Sequence, residues 1–201
     1  VGLGDFPNMG RGVKATGDIK SGNEVMRIPT KIIFSQSSLL KSNDPMHVKI
    51  AKAIASDDLA VVAALLLEKQ RDTNSKFYEY LQVLPKYIPN LSYYNTESLK
   101  HLQSPTLEKD ALEGQYRNRN NYKIFTDKVR KFWPGGRKNL PIYEDFQWAA
   151  SVVDSRGLRF AGKVHLAPFS DMFNYQKHHD DRDADNGAHF LQHHQLDETS
   201  G

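Results

Sequence analysis

The chain has 201 residues, of which 39% are hydrophobic and 25% charged, and this balance excludes a wholly disordered protein and leaves room for a real core. The formal net charge of +3 is too small to indicate a nucleic-acid or membrane-surface binder by bulk electrostatics alone. The absence of cysteine excludes disulfides, thiolate catalysis and cysteine-based zinc sites.

The sequence carries no signal for membrane insertion or export. Its longest apolar run, residues 59–67, is far shorter than the ~20 residues of a membrane-spanning helix. No basic and hydrophobic leader is visible, so we expect a soluble intracellular protein of the cytoplasm, nucleus or plastid. Since the sequence opens on Val1 and stops on a polar run at Gly201, it is also expected to be a fragment.

The first predicted element is a β-hairpin within residues 10–29. Two strand-like runs, 13–16 and 24–28, flank a connection with turn chemistry between Gly17 and Gly22. The N-terminal region is therefore predicted to be β.

Helical patterns dominate the middle of the chain. Apolar residues take helical spacing from Pro45, and Asp57 and Asp58 then cap a second run, 59–70, that is apolar nearly all round. This second helix should be buried.

The following segment, 77–94, is aromatic and interrupted by two prolines, which predicts an irregular connector. Apolar residues then recur at three- or four-residue steps from 112 to 132, an amphipathic helix that ends before Pro134. A further helix is predicted over 143–156, and a strand over 163–167. The order of elements predicts an α+β fold in which a helical insertion interrupts a sheet.

Gly10-Arg11-Gly12 is a candidate binding element. The glycines could let the backbone approach a ligand, with Arg11 pairing a carboxylate, but a hairpin entry would need the same glycines. The stretch lacks the third glycine and the strand-to-helix setting of a dinucleotide-binding motif, which disfavours that class.

Arg156 ends the helix predicted over 143–156. The helix dipole favours a cation there by ~0.3–1 kcal/mol, which would explain the residue without any ligand. A partner anion would indicate a site instead.

A basic segment covers residues 115–138, where eight lysines or arginines accompany one acid, Asp127, for a local charge of +7. Basic and aromatic residues interleaved in this way could follow a nucleic-acid backbone. An amphipathic helix with its aromatics in the core and its charges in water is the simpler interpretation. The patch could still attract an acidic protein partner.

Residues 175–195 are rich in histidine and aspartate, which are metal-ligand types. They show no HExxH-type spacing, so we predict no metal site. No serine stands in a G-x-S-x-G context, which argues against a serine hydrolase.

Three stretches of the sequence together resemble one protein family. GRGVKATGDIKSGNEVMRIP (10–29) at one end, and YEDFQWAASVVDSRGLRF (143–160) followed by LAPFSDMFNYQ (166–176) at the other, resemble the two halves of a SET domain. The resemblance is to the branch of the Rubisco large-subunit methyltransferase, whose SET fold is split by a helical insert. FYEYLQVLP (77–85) resembles a recurrent segment of that insert.

The resemblance implies a site for S-adenosylmethionine. Gly10, Arg11 and Gly12 would lie along the methionine portion of the cofactor. Arg156 would hold an anionic or hydroxyl group. Asp171 and Asn174 would lie at its adenosine and amino-acid end, together with Tyr175, which stands where the family usually has histidine.

The same resemblance implies the domain organisation. Residues 1–40 would form the N-terminal part of the SET domain, 41–140 the helical insert, and 141–201 a C-terminal SET segment, with an α+β, β-clip-like core of short strands. The family's catalytic tyrosine motif is expected beyond Gly201, so no catalytic residue is assigned.

The implied function is S-adenosylmethionine-dependent methylation of a protein side chain. Lysine is the expected acceptor, on a protein substrate whose surface could be acidic, and histidine is possible because a branch of the family modifies it. No nucleic acid, membrane or metal is required. The alternative is a non-catalytic SET-like module that docks an acidic partner through the basic helix within 115–138.

Overall fold

The computed structural model describes residues 1–7, 10–160 and 162–173. Four strands and seven α-helices lie within these ranges. In chain order they are β1 (Gly2–Phe6), β2 (Gly10–Lys14), α1 (Gln36–Leu40), α2 (Pro45–Ala53), α3 (Asp57–Arg71), α4 (Tyr78–Val83), α5 (Thr96–Leu99), α6 (Pro105–Val129), α7 (Tyr143–Arg156), β3 (Leu158–Phe160) and β4 (Lys163–His165). Asn174 and the whole segment 175–195, including Tyr175, lie outside the described residues.

The N-terminal hairpin forms earlier in the chain than predicted. β1 and β2 are antiparallel, with Leu3 opposite Val13, whereas residues 24–28 are not in a strand. Because only residues 7–9 separate β1 from β2, closing this hairpin costs less conformational entropy than closing one across the longer predicted connection. The prediction of a β N-terminus is confirmed, and the prediction of a strand at 24–28 is wrong.

The buried helix predicted after Asp58 is α3. Ser56, rather than the two aspartates, caps it, because the Ser56 hydroxyl accepts a hydrogen bond from the Leu59 amide at 3.4 Å. Asp57 lies in the first turn, where a negative charge is favourable to the helix dipole. Every residue from Leu59 to Glu68 is buried, so α3 forms the centre of the core.

The segment predicted as an irregular connector contains a short helix. α4 occupies residues 78–83 and ends before Pro85, whose carbonyl accepts a hydrogen bond from the Trp148 indole at 2.9 Å. Both prolines follow the helix instead of interrupting it, so they do not prevent its formation. The predicted absence of one long element is confirmed, and the irregular connector contains the short helix α4.

The amphipathic helix α6 has its apolar face where predicted only in its C-terminal half. Phe125 and Val129 are fully buried, but Tyr116 is 77% exposed. In the N-terminal half the buried positions are the small residues Ala111 and Gly114, which pack against residues 90–93. The eight basic residues of 115–138 are all exposed, as the simpler interpretation predicts.

An isolated β-bridge joins residues far apart in the chain. Phe34 and Leu166 exchange backbone hydrogen bonds of 2.9 and 2.8 Å, and β4 packs on α3. Phe34 also contacts Phe77, with ring centroids 4.2 Å apart. The predicted α+β fold, with a β core interrupted by helices, is confirmed.

Candidate functional site

The glycine-rich element lies on β2. Gly12 is buried, while Gly10 is exposed and has φ of +71°, a left-handed conformation that glycine adopts without strain. β2 packs against a 3-10 turn at Ser170–Met172. This packing brings the predicted Arg11 close to the predicted Asp171.

The end of α7 holds Arg156 in a fixed position. A Cβ atom at Gly157 would lie 2.4 Å from the Val153 carbonyl oxygen and 2.6 Å from Val164 Cγ2, so only glycine lets β4 pack this close to the helix end. Arg156 Nη1 donates to the Asp171 carbonyl at 3.2 Å and lies 3.5 Å from Asp171 Oδ2. Arg156 therefore has an anionic partner within the chain, in addition to its place at the helix C-terminus.

Asp171 is the most enclosed polar group of the site, with a side chain that is 0% exposed. Its Oδ2 accepts a hydrogen bond from the Tyr80 hydroxyl at 2.7 Å. Its Oδ1 is buried and has no hydrogen-bond partner among the described residues. Phe169, just before the turn, has φ of +73°, a strained conformation that costs a non-glycine residue ~1–3 kcal/mol.

The environment of Asp171 disfavours its charge. Burial raises the pKa of the Asp171 carboxyl above its ordinary value, although the Tyr80 hydrogen bond and the Arg156 charge act in the opposite direction. Burial also raises the pKa of Tyr80, so its hydroxyl remains a donor over the working pH range. Two donors, Tyr80 and Arg156, therefore address Oδ2, but they do not fully offset the unfavourable burial of the negative charge.

A cavity of about 320 Å³ opens between these groups. Its volume lies at the lower end of the ~300–1,000 Å³ that small-molecule sites occupy. The lining residues are Arg11, Pro85, Tyr87, Ile88, Pro89, Ser155, Arg156, Asp171 and Met172. The structure therefore brings together three of the predicted residues, whereas Asn174 and Tyr175 fall outside the described part of the chain.

Sequence reasoning missed one wall of this cavity. The segment 85–89, which follows α4, contributes four aromatic or apolar lining residues, namely Pro85, Tyr87, Ile88 and Pro89. FYEYLQVLP and the two prolines were the available signals, but they predicted a connector within a helical insert and no part of the site. Tyr80 was missed for the same reason.

A second polar cluster, also missed, lies in the helical core and is called here the Glu68 cluster (Asp44, His47, Glu68, Arg71 and Ser75). The Glu68 side chain is 0% exposed, and its Oε1 lies 2.8 Å from His47 Nε2 and 2.7 Å from Arg71 Nη1. Ser75 donates to the other oxygen at 2.5 Å, and Arg71 also pairs with Asp44. The single positive charge of Arg71 offsets one of the two carboxylates, and the side chains pair with one another, so we interpret the cluster as a structural ion-pair network.

None of the helices in the described ranges is both long and apolar enough to span a bilayer.

Curated relatives match most of the chain. It is 30% identical over 183 residues to the actin-histidine N-methyltransferase of Callithrix jacchus. The aligned region covers 85% of this chain and 30% of that protein. The enzymes of Homo sapiens and Xenopus tropicalis are each 29% identical, and cover 85% and 86% of this chain. The chain thus spans about a third of the length of these relatives, at 30–31%. No protein-family model matches the chain.

Solved structures match the fold. The SET domain of Rubisco LSMT bound to methyllysine and AdoHcy has a TM-score of 0.72 at 20% identity, over 87% of this chain and 40% of that one. Rubisco LSMT bound to AdoMet has a TM-score of 0.71 over the same share of this chain. The described residues therefore have the fold of a SET domain.

The sequence relatives and the fold agree on the family. Both point to SET-domain protein methyltransferases, and the structural matches are to the Rubisco enzyme, as the motifs at the two ends of the chain predict. The resemblance to SET-domain methyltransferases of the Rubisco large-subunit branch, which the motifs predict, is therefore confirmed by sequence similarity and by fold.

Proposed function

We propose that the protein of which this chain is a part is an S-adenosylmethionine-dependent protein N-methyltransferase, and that the cavity beside Asp171 is part of its cofactor site. The observation that supports this most directly is the meeting of Arg11, Arg156 and Asp171 around one cavity of a SET fold. On this proposal residues 1–40 and 141–201 form the SET core and 41–140 the insert.

The groups around the cavity fit such a cofactor. Arg11 and Arg156 offer guanidinium groups for its carboxylate. Asp171 Oδ1 is an unpaired buried acceptor among the described residues, and a donor such as an amine or a ribose hydroxyl would satisfy it. The side formed by residues 85–89 suits the apolar parts of the molecule. Asn174 and Tyr175 remain predicted additions to this site.

When bound, the cofactor supplies a methyl group already activated on a sulfonium. The described residues bind and orient it: the arginines fix one end, Asp171 fixes another, and residues 85–89 exclude water from one side. The acceptor nitrogen must arrive deprotonated and aligned with the methyl group. We assign no catalytic residue, since the tyrosine motif that the family uses is not found in this sequence.

We propose a protein histidine as the acceptor, with lysine as the alternative. The relatives at 29–30% identity are named as actin-histidine N-methyltransferases, whereas the solved structures, at 19–20% identity, are bound to lysine or methyllysine. Total hydrolysis of protein methylated by the full-length enzyme would decide between them. Methylhistidine in the hydrolysate supports the proposal, and methyllysine alone would replace histidine by lysine.

Arg156→Ala in the full-length protein is expected to weaken binding of S-adenosylhomocysteine at least tenfold, because one charge-assisted hydrogen bond contributes ~1.5–3 kcal/mol. Titration calorimetry measures the effect. The matched control is Arg159→Ala. Arg159 is exposed, its guanidinium lies 2.8 Å from the Asp58 carboxylate, and it does not line the cavity. Equal affinities in the wild type and both variants, or no binding to the wild type, would contradict the proposed site.

We also propose that the basic surface, defined as the exposed lysines and arginines of 115–138, docks an acidic face of the protein substrate. Lys128→Glu with Lys131→Glu should raise KM for the protein substrate several-fold and leave kcat unchanged, because rim charges act mainly on encounter. Lys109→Glu, on the same helix but outside the surface, serves as the control. Steady-state kinetics at two salt concentrations would test this role. If neither charge reversal nor salt changes the KM for the protein substrate, the docking role is excluded.

A further inference from the structure

The hydroxyl of Tyr80 links the helical block to the candidate cofactor site. Tyr80 lies on α4 and is 8% exposed. Its hydroxyl is 2.7 Å from Asp171 Oδ2, a contact between residues 91 positions apart. At this distance the bond is a strong one to a carboxylate, and Tyr80 is its donor.

Asp171 is held on one side only. The Tyr80 hydroxyl and the Arg156 guanidinium both address Oδ2 or the backbone carbonyl, while Oδ1 has no partner among the described residues. Of these two donors Tyr80 is the closer to Oδ2, at 2.7 Å against 3.5 Å. The rotation of the carboxyl group about χ2 is therefore determined mainly by Tyr80.

We propose that Tyr80 is a positioning residue of the cofactor site, whose hydroxyl fixes the Asp171 carboxylate against Arg156 and so sets the affinity for S-adenosylmethionine. This inference rests on the proposed function. It assigns to the helical insert a part in cofactor binding beyond the side of the cavity formed by residues 85–89, which follow the helix that carries Tyr80.

The charges around Asp171 give this role a pH signature. Tyr80 from α4 and Arg156 from α7 contact Asp171, and Arg11 from β2 and Tyr87 from the segment after α4 line the same cavity. Burial raises the pKa of Asp171, and the Tyr80 hydrogen bond opposes this rise. Removal of the hydroxyl must therefore raise the pKa further. Binding that needs the carboxylate is lost as the pH falls, and in Tyr80→Phe this loss begins at a higher pH.

The test uses the full-length protein and the variants Tyr80→Phe and Tyr122→Phe. Tyr122 is the matched control, because its hydroxyl donates one hydrogen bond, to the Pro141 carbonyl at 2.9 Å, outside the cavity. Carbon-13 NMR follows the titration of the Asp171 carboxyl group without ligand, and calorimetry follows S-adenosylhomocysteine binding as a function of pH.

Tyr80→Phe is expected to raise the pKa of Asp171 and to weaken binding about three- to tenfold at neutral pH, whereas Tyr122→Phe changes neither. An Asp171 titration that coincides in wild type and Tyr80→Phe overturns the positioning role, and so does unchanged affinity despite a shifted titration. A wild type that binds no S-adenosylhomocysteine overturns the proposed function, while normal wild-type binding with an unaltered Tyr80→Phe variant overturns only the role of Tyr80.

Discussion

Glu68→Ala is expected to lower the free energy of unfolding by ~3–5 kcal/mol, because it removes the buried hydrogen-bond partner of His47 and Ser75 and leaves Arg71 with Asp44 alone. His47 is 2% exposed and Arg71 29% exposed in this cluster, so neither can recover its lost hydrogen bond fully from water. Urea denaturation of the wild type and variant measures the difference.

Two controls separate the network from general effects of substitution. Glu97→Ala removes a carboxylate that is 78% exposed and pairs with Lys100, and it should change stability by less than ~1 kcal/mol. Glu68→Gln keeps the volume and some hydrogen bonds, so its cost should lie between the two. A loss of stability no larger than that of Glu97→Ala would show that the network is not needed.

Acid should weaken the fold through the same residue. Burial alone would raise the pKa of Glu68, but hydrogen bonds from His47 and Ser75 and the charge of Arg71 outweigh it and hold the pKa below its ordinary value. A depressed pKa means that the stabilisation is present above the unfolded pKa of ~4.3 and is lost as the pH falls through the folded pKa. Glu68→Ala should therefore show a shallower loss of stability at low pH than the wild type.

The helices could be predicted because their signals are local. α3 follows a continuous apolar run and α7 an apolar periodicity, and α7 has the bounds that its pattern indicates. The hairpin was misplaced because two candidate partners compete for the run at 13–16, and loop-closure entropy, not strand propensity, favours β1. The exposed Tyr116 depends on how α6 is rotated against residues 90–93, which periodicity does not determine.

The residues of the candidate site also differ in whether the sequence could predict them. Arg11, Arg156 and Asp171 could be proposed because they stand in stretches that resemble those of SET domains, although no comparison tests their binding role. Tyr80 could not be proposed from the sequence, because its contact with Asp171 spans 91 positions and exists only once α4 has packed. Glu68 left one local signal, a charged residue on the inner side of an apolar run, whose meaning depends on His47 in another helix.

Asp171→Asn is expected to have opposite effects on binding and on stability. Affinity for S-adenosylhomocysteine should fall about 10- to 100-fold, because Asp171 would no longer offer a charged acceptor. Stability at neutral pH should stay equal or rise, because the raised pKa shows that burial of the charge costs more than Tyr80 and Arg156 return. Calorimetry and urea denaturation on the full-length protein measure the two quantities.

The pH dependence of stability gives an independent test of the direction of the stability change in Asp171→Asn. Because the folded pKa of Asp171 is raised, its favourable contribution is complete below the unfolded pKa of ~3.9 and is lost as the pH rises through the folded pKa. Asparagine cannot ionise, so the stability of the variant relative to the wild type should increase over that interval. The control Asp58→Asn, at an exposed carboxylate paired with Arg159, should leave binding unchanged. If Asp171→Asn lost stability at neutral pH and kept its affinity, Asp171 would be a structural residue and the cofactor would have to bind elsewhere.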